Sequence, residues 1–429
     1  MSDSRPVTAG EPRLGIGRRP RRRFPRRVLL ALPLALAGPF SLLLPVDAPR
    51  PYRQVVTIEA KMASKSDFFK DAEVRRLLLR HGIRVDIHRL GSRGIATQSL
   101  KGMDVVFPSG QPAAKMILDR QQGMSAKSAR PFVTPLVLAT FRDYAETLVR
   151  AGVARPQPGS DTAHTLYYDL DMRRFMGLLD GRDDRKNPGD GTGRTADTWN
   201  GIGFGEISGR SNSGRVLVRT SSVCESNSAG TYLGILAFVA NGNTTPGTED
   251  SNDLRQASDA VRRLAEKIKP LIDLQGMWAD EQADSYFSDL GESIAPVSVI
   301  YEHQYLAHQI EYHDRHHRQD TGRVLLYPTP YALTEPQLIS LSPRGDKLTD
   351  LMQNDPALRD RAVELGFRVR FSGEDGTSER LNAYLRDHGI QVPRQNTDET
   401  KVYEPALDVL EDLITYVGDC PPPVIQDDR

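Results

Sequence analysis

Residues 214–241 read GRVLVRTSSVCESNSAGTYLGILAFVAN, and the rest of the chain is interpreted outward from them. Val216-Leu217-Val218 is a short apolar run, which predicts a buried strand. A loop of small polar residues follows from Thr220 to Ser228, and it holds Cys224. Residues 229–239 are apolar almost throughout, which predicts a buried helix. Strand, serine-rich loop and helix together aim backbone N–H groups and hydroxyls at a bound ligand, preferably an anion. Ser226, Asn227 and Ser228 supply N-cap chemistry, and Gly230 permits close approach. An ordinary N-cap on a core helix has the same composition. Recurrence tips the balance toward a ligand, because similar serine-bearing turns occur three more times upstream.

Those turns lie in a regular alternation. Val55-Val56-Thr57-Ile58 predicts a strand, KMASKS at 61–66 a loop, and DFFKDAEVRRLLLRHG a helix ending at Gly82. A strand at 83–87, the turn at 91–94 and a short helix come next. A strand at 103–107, the loop PSGQP at 108–112 and the helix AAKMILDRQ close the series. Such β-α-β-α-β-α order implies a parallel sheet with right-handed crossovers, and ligands sit at the carboxyl ends of its strands. Ser64, Ser92 and Ser109 all fall at that edge.

Further along, FVTPLVL at 132–138 predicts a strand whose Pro135 marks a sheet edge or a crossing between domains. Helices are expected at 141–151, 169–180 and 254–274, with a polar loop at 181–198. Strands are expected at 295–300, 323–328 and 338–341, then helices at 346–353, 355–364, 377–388 and 404–417. No solenoid repeat is present.

At 429 residues the chain can build two or three domains. Its 56 basic and 56 acidic residues balance, which argues against nucleic acid as a partner. The balance is uneven along the chain: residues 1–27 carry nine Arg against Asp3 and Glu11. VLLALPLALAGPFSLLLPV at 28–46 has no charge, so residues 1–53 are expected to be an export signal or a membrane anchor. Export places Cys224 and Cys420 in an oxidising compartment, where the pair is expected to bond. Closing so long a loop contributes about 5 kcal/mol in the chain-entropy account.

The order of these elements resembles the type 2 periplasmic, or extracellular, solute-binding proteins. The resemblance is carried by GSR at 91–93, FPSGQPA at 107–113, TPLVLATF at 134–141, CESNSAGTYL at 224–233, APVSVIYEHQY at 295–305 and RVLLYP at 323–328. Within that family the chain is most similar to actinobacterial substrate-binding proteins, some of them joined to von Willebrand factor A domains. The resemblance implies an α/β, two-lobe Venus-flytrap fold, each lobe a mixed sheet flanked by helices, with two crossing segments. Lobe I would hold 54–136 and 322–417, lobe II 137–321, and 418–429 would be a tail.

A small ligand would then bind between the lobes for transport or sensing. The implied site is Ser64, Ser66, Ser92, Arg93, Ser109, Thr134, Ser226, Asn227, Ser228, Tyr301 and Glu302. Hydroxyls, helix amides and the Arg93 guanidinium suit a small anion or anionic metabolite, while Tyr301 and Tyr305 leave sugars and peptides open. No cofactor is expected. The protein is expected to be a monomer, extracytoplasmic, with a membrane transporter or membrane complex as partner.

The sequence leaves two other functions open. An interaction module of a membrane complex would keep the fold without a transported ligand. A metal-dependent hydrolase would use His303, His308, His313, His316 and His317, five of the nine histidines. Five-residue spacing turns successive side chains by about 140° on a helix, so 303, 308 and 313 cannot share a face. His316 and His317, with Glu311 and Asp314, remain the metal candidates. Glu302 beside His303 could serve as an acid, but no G-x-S-x-G or H-E-x-x-H occurs. The sequence therefore favours a binding protein over an enzyme.

Overall fold

The computed structural model describes residues 55–121, 127–157, 164–179, 197–247, 254–275, 277–278, 282–370, 379–394, 401–422 and 424. The basic segment and the apolar run at 28–46 lie outside these residues, as does most of the polar loop at 181–198. Among the described residues no helix is long and apolar enough to cross a membrane.

The strands in chain order are β1 (Val56–Met62), β2 (Ile83–Arg89), β3 (Val105–Phe107), β4 (Ser128–Ala129) and β5 (Phe132–Phe141). Next come β6 (Ala154–Pro156), β7 (Tyr167–Asp171), β8 (Thr220–Ser221), β9 (Met277–Trp278) and β10 (Val297–Tyr301). The last four are β11 (Arg323–Thr329), β12 (Leu333–Thr334), β13 (Leu338–Ser340) and β14 (Arg368–Val369). Apart from β8 and β9, which pair with each other, they form two mixed sheets flanked by helices, the fold class expected from sequence. One sheet has the order β2-β1-β3-β13-β4, with β1 parallel to β2 and β3 and with β13 antiparallel to β3. The other runs β10-β5-β11-β7-β6, with β12 and β14 also on β5.

Local chemistry explains the first sheet. The Asp71 carboxylate accepts from the amides of Glu73 and Val74 and starts the helix Ala72–Arg80. Val74, Leu77 and Leu78 form its buried side. Gly82, at φ 72°, ends it and turns the chain into β2. Ile58, Ala60 and Met62 alternate along β1 as its buried face.

β5 organises the second sheet. Phe132 to Thr140 are all buried, as befits a strand covered on both faces. Val133 pairs with β14 and Pro135 with β12, whereas the pairing with β10 and β11 begins at Leu136 and Leu138. Pro135 thus lies where β5 changes partners, inside the sheet and not at its edge. A residue without an N–H is tolerated there because the ladder is already interrupted.

Three sequence expectations are corrected. Val216 and Val218 are buried but form no strand; the segment meets β10 only at Arg219, whose amide donates to the Val297 carbonyl at 2.8 Å. β11, expected in the first lobe, pairs with β5 and β7 in the second sheet, and the chain returns to the first sheet at β13. The C-terminal helix Leu407–Gly418, also expected with the first lobe, contributes Leu410, Leu413, Ile414 and Val417 to the core around the helix Asn227–Ala240. That helix is apolar on every side and is buried from Ala229 to Val239, so it needs cover all round.

Cys224 and Cys420 form a disulfide with Cα atoms 5.4 Å apart. It ties the loop entering helix Asn227–Ala240 to the chain leaving helix Leu407–Gly418. The C224S/C420S double variant should lose about 2–5 kcal/mol of stability, read as a lower urea midpoint under non-reducing conditions. An unchanged midpoint would show that this closure does not support the fold.

Candidate functional site

The carboxyl ends of β1, β2 and β3 deliver Ser64, Ser92 and Ser109 to one cavity of about 650 Å³. The opposite wall is Ser221, Ser222, Ser226, Asn227 and Ser228, with Tyr301 and Gln304 from the end of β10. The segment 282–288 adds Gln282, Ser285 and Ser288. The Ser64 and Ser109 hydroxyls lie 2.7 Å apart, and the Ser109 amide donates to the Ser92 hydroxyl at 2.9 Å. Across the cavity the Ser226 and Ser228 hydroxyls lie 2.8 Å apart. The Asn227 carboxamide donates to the Tyr301 hydroxyl at 3.2 Å.

Ser226 is the N-cap of the helix Asn227–Ala240, yet its side chain makes no capping hydrogen bond and no acidic residue occupies the first turn. The N-terminus of that helix therefore meets the cavity with no carboxylate in its first turn, the nearest in sequence being Glu225 just ahead of the N-cap. Two glycines let the loops of the first sheet come this close. A Cβ at Gly91 would strike the Glu225 carbonyl, and one at Gly110 would strike the Asn227 carboxamide.

Seven of the eleven residues expected at the site line the cavity: Ser64, Ser92, Ser109, Ser226, Asn227, Ser228 and Tyr301. Four do not. Arg93 is engaged structurally: its Nε donates to Glu411 at 2.9 Å, and its terminal nitrogens donate to the carbonyls of Cys224 and Pro421. Thr134 is buried in β5, with Oγ1 3.3 Å from His303 Nδ1. Ser66 is fully buried, and its hydroxyl has no hydrogen-bond partner among the described residues.

Glu302 is the fourth. Its carboxylate accepts from Arg368 and, at 2.6 Å, from the Tyr327 hydroxyl, all of them buried. It is therefore a structural ion pair and not the acid considered from sequence.

Sequence reasoning missed Lys65, although Ser64 and Ser66 on either side of it were singled out. Lys65 is fully buried, and its Nζ lies 3.0 Å from the centre of the Tyr301 ring. Burial, and then the Lys65 charge, push the His303 imidazole well below its usual range, so it is neutral at pH 7. A lysine between two strand-end serines was the available signal. The charged lining residues, Arg89, Glu225 and Asp284, are exposed at the rim.

The histidines are dispersed, as their spacing requires. His303 stacks on Phe367, and His308 Nε2 lies 2.9 Å from Asp320. Burial opposes ionisation of Asp320, but hydrogen bonds from His308 and the Gly322 amide outweigh it and hold the carboxyl down to about 2. His316 and His317 are exposed, and His317 ends the helix Glu302–His316 at φ 53°. Among the described residues no three His, Cys, Asp or Glu gather to hold a metal, so the hydrolase candidates do not form a site. The cleft hydroxyls Ser64, Ser109, Ser226 and Ser228 pair with one another and not with an imidazole, so no activated nucleophile arises from them.

No protein-family model and no curated protein matches the chain. Similar solved structures include the periplasmic binding protein AfuA from Actinobacillus pleuropneumoniae, with fructose-6-phosphate bound. It is 11% identical, with 85% of this chain and 94% of that chain covered, at a TM-score of 0.42. The apo ferric ion-binding protein A of Pasteurella haemolytica is 12% identical, covers 85% and 97%, and has a TM-score of 0.42. The periplasmic molybdate-binding protein of Azotobacter vinelandii is 10% identical, covers 72% and 98%, and has a TM-score of 0.37. At these identities and TM-scores the functional assignment rests on the cleft of this chain, not on the ligands of those proteins.

Two substitutions probe the frame of the cleft. Glu302→Gln leaves Arg368 buried without its counter-charge and should cost about 3–5 kcal/mol in denaturant unfolding. Glu404 lies in a narrow gap with Arg93, Pro112, Thr231 and Glu411. Burial and then the Glu335 charge, opposed by Lys401, push its carboxyl from 4.5 up to about 7. Between these values the unfolded chain binds fewer protons at this residue than the folded one, so its contribution to stability falls as pH rises. Glu404→Gln should flatten that fall in the thermal midpoint between about pH 4.5 and 7; an identical pH profile would show that Glu404 is not responsible.

Proposed function

We propose that the chain is an extracytoplasmic solute-binding protein that captures a small anionic ligand in the cleft between its two sheets, for transport or sensing. The observation that carries this is the 650 Å³ cavity, which hydroxyls from several separate loops and an uncapped helix N-terminus line together. Its volume lies within the range of small-molecule sites, about 300–1,000 Å³. Converging N–H and O–H donors suit an oxyanion or carboxylate. Export rests on the basic segment and apolar run ahead of residue 54.

Arg93, expected to add charge-assisted bonds to the ligand, is held by Glu411, so the donors that face the cavity are hydroxyls, helix amides and the guanidinium of Arg89 at the rim. The alternative, an interaction module without a solute, predicts a cleft packed by the protein's own side chains. The open cavity favours the solute-binding function.

A thermal-shift screen of the purified protein against anions, amino acids, sugars and metals tests this. A ligand at 100 times its Kd should add about 2.7 kcal/mol of stability, a clear rise in midpoint. Anionic compounds should score. Silence across the panel would favour the interaction module, and hits confined to neutral solutes would remove the anion assignment while keeping the cleft as a solute site.

A further inference from the structure

We propose that the solute is an open-chain, oxygen-rich acid, such as a polyhydroxy acid or a polycarboxylate, and that the cleft discriminates against sugar rings and aromatic rings. This rests on the cleft being a solute site and names the class of solute it takes. The walls carry the proposal: they offer hydrogen-bonding side chains from separate segments and no open ring face.

Those side chains come from four parts of the chain. Ser64 follows β1, and Ser222 lies in the loop ahead of the helix Asn227–Ala240. Ser285 belongs to the segment 282–288, and Gln304 stands in the first turn of the helix Glu302–His316. Ser285 engages Ser288 through its carbonyl and not through its hydroxyl.

Among the described residues only one aromatic side chain, Tyr301, lines the cavity. It is 3% exposed: Lys65 Nζ lies 3.0 Å from the centre of its ring, and its hydroxyl accepts from Asn227. Its ring therefore has no face open to a ligand. Tyr305, the other ring considered from sequence, is fully buried and donates to the Arg323 carbonyl at 2.8 Å. The aliphatic lining residues Val299 and Ile300 are buried as well.

A pyranose carries its hydroxyls around its edge and C–H groups on its two faces. With no ring to cover them, those faces would press on hydroxyls and carboxamides that lose water and gain no partner. An aromatic ring likewise lacks the stacking partner that favours it. An open chain turns its oxygens toward several walls at once, although it loses more rotamer freedom. Charge does not decide between these shapes. The charged lining residues are Arg89, Glu225 and Asp284, one guanidinium and two carboxylates, all exposed at the rim. They act alike on a ring and on a chain of equal charge.

The test is calorimetry on the full chain with two pairs matched in charge, gluconate with glucuronate and adipate with terephthalate. Wherever a pair responds, the open-chain member should bind about threefold to tenfold tighter, the margin of one hydrogen bond lost or gained. The double variant Ser64→Ala/Ser285→Ala removes hydroxyls from two separate segments and should weaken the open-chain member by about tenfold. Unchanged affinity in that variant would place the solute outside the cleft and overturn the proposal.

Should the variant fail to fold, the wild-type margins still decide. A ring that binds as tightly as its open-chain partner, in either pair, overturns the proposal and leaves the cleft a solute site. If neither pair responds, the broader thermal screen decides. A hit on other open-chain acids upholds the proposal, and hits confined to rings, neutral solutes or inorganic ions overturn it. Silence throughout overturns this proposal and the solute-binding function together.

Discussion

Arg93 is the point on which the two halves of the molecule depend. It stands at the start of the short helix after β2, and its guanidinium reaches Glu411 on the C-terminal helix and the carbonyls of Cys224 and Pro421. One side chain thus joins three segments far apart in sequence. The disulfide holds two of them together. The pair is largely shielded from water, with both side chains under 15% exposed (12% and 14%), so it is screened less than a surface bridge would be. Backbone contact follows from the clasp: Gly91 lies against the Glu225 carbonyl, and the Arg93 amide donates to that same carbonyl at 3.4 Å.

With the loops held in this way, the hydroxyls on either side can face one cavity without touching across it. Ser64 pairs with Ser109 on the first-sheet side, and Ser226 pairs with Ser228 on the other. Each pair satisfies one polar contact locally and keeps further hydrogen-bonding capacity for a ligand. Behind this lining lie two buried basic residues in different settings. Arg368 is matched by Glu302 and braces β14 against the helix Glu302–His316, whereas Lys65 stands against the ring that forms the cavity wall.

Much of the architecture was legible in the chain. The β-α-β-α-β-α alternation from residue 55, the serine turns at its strand ends and the apolar helix after Cys224 lead to the observed cavity. Pro135, expected at a sheet edge or a domain crossing, lies inside the sheet where β5 changes partners. Patterning failed where pairing partners are remote. Val216 and Val218 are buried in a core that helices and strands share, without joining a ladder themselves, and an apolar triplet cannot distinguish that from a strand. β11 is apolar enough for either sheet, and only its ladders with β5 and β7 place it.

Residue type and position in a loop, which sequence records, determined that serines would stand at the strand ends, that an apolar helix would follow the loop holding Cys224 and that two cysteines were available to pair; that the Ser226 side chain leaves the helix end uncapped was not legible. What each charged side chain does was decided only by the tertiary structure. Arg93 looked like a ligand residue and became a clasp because Glu411, 318 residues away, comes within hydrogen-bonding distance. Glu302 looked like a possible acid and became the partner of Arg368. Lys65, one residue of a loop in the sequence, is buried against the Tyr301 ring. A charge takes its role from the nearest opposite charge and from how much water it keeps, and both are set by contacts that sequence spacing does not encode.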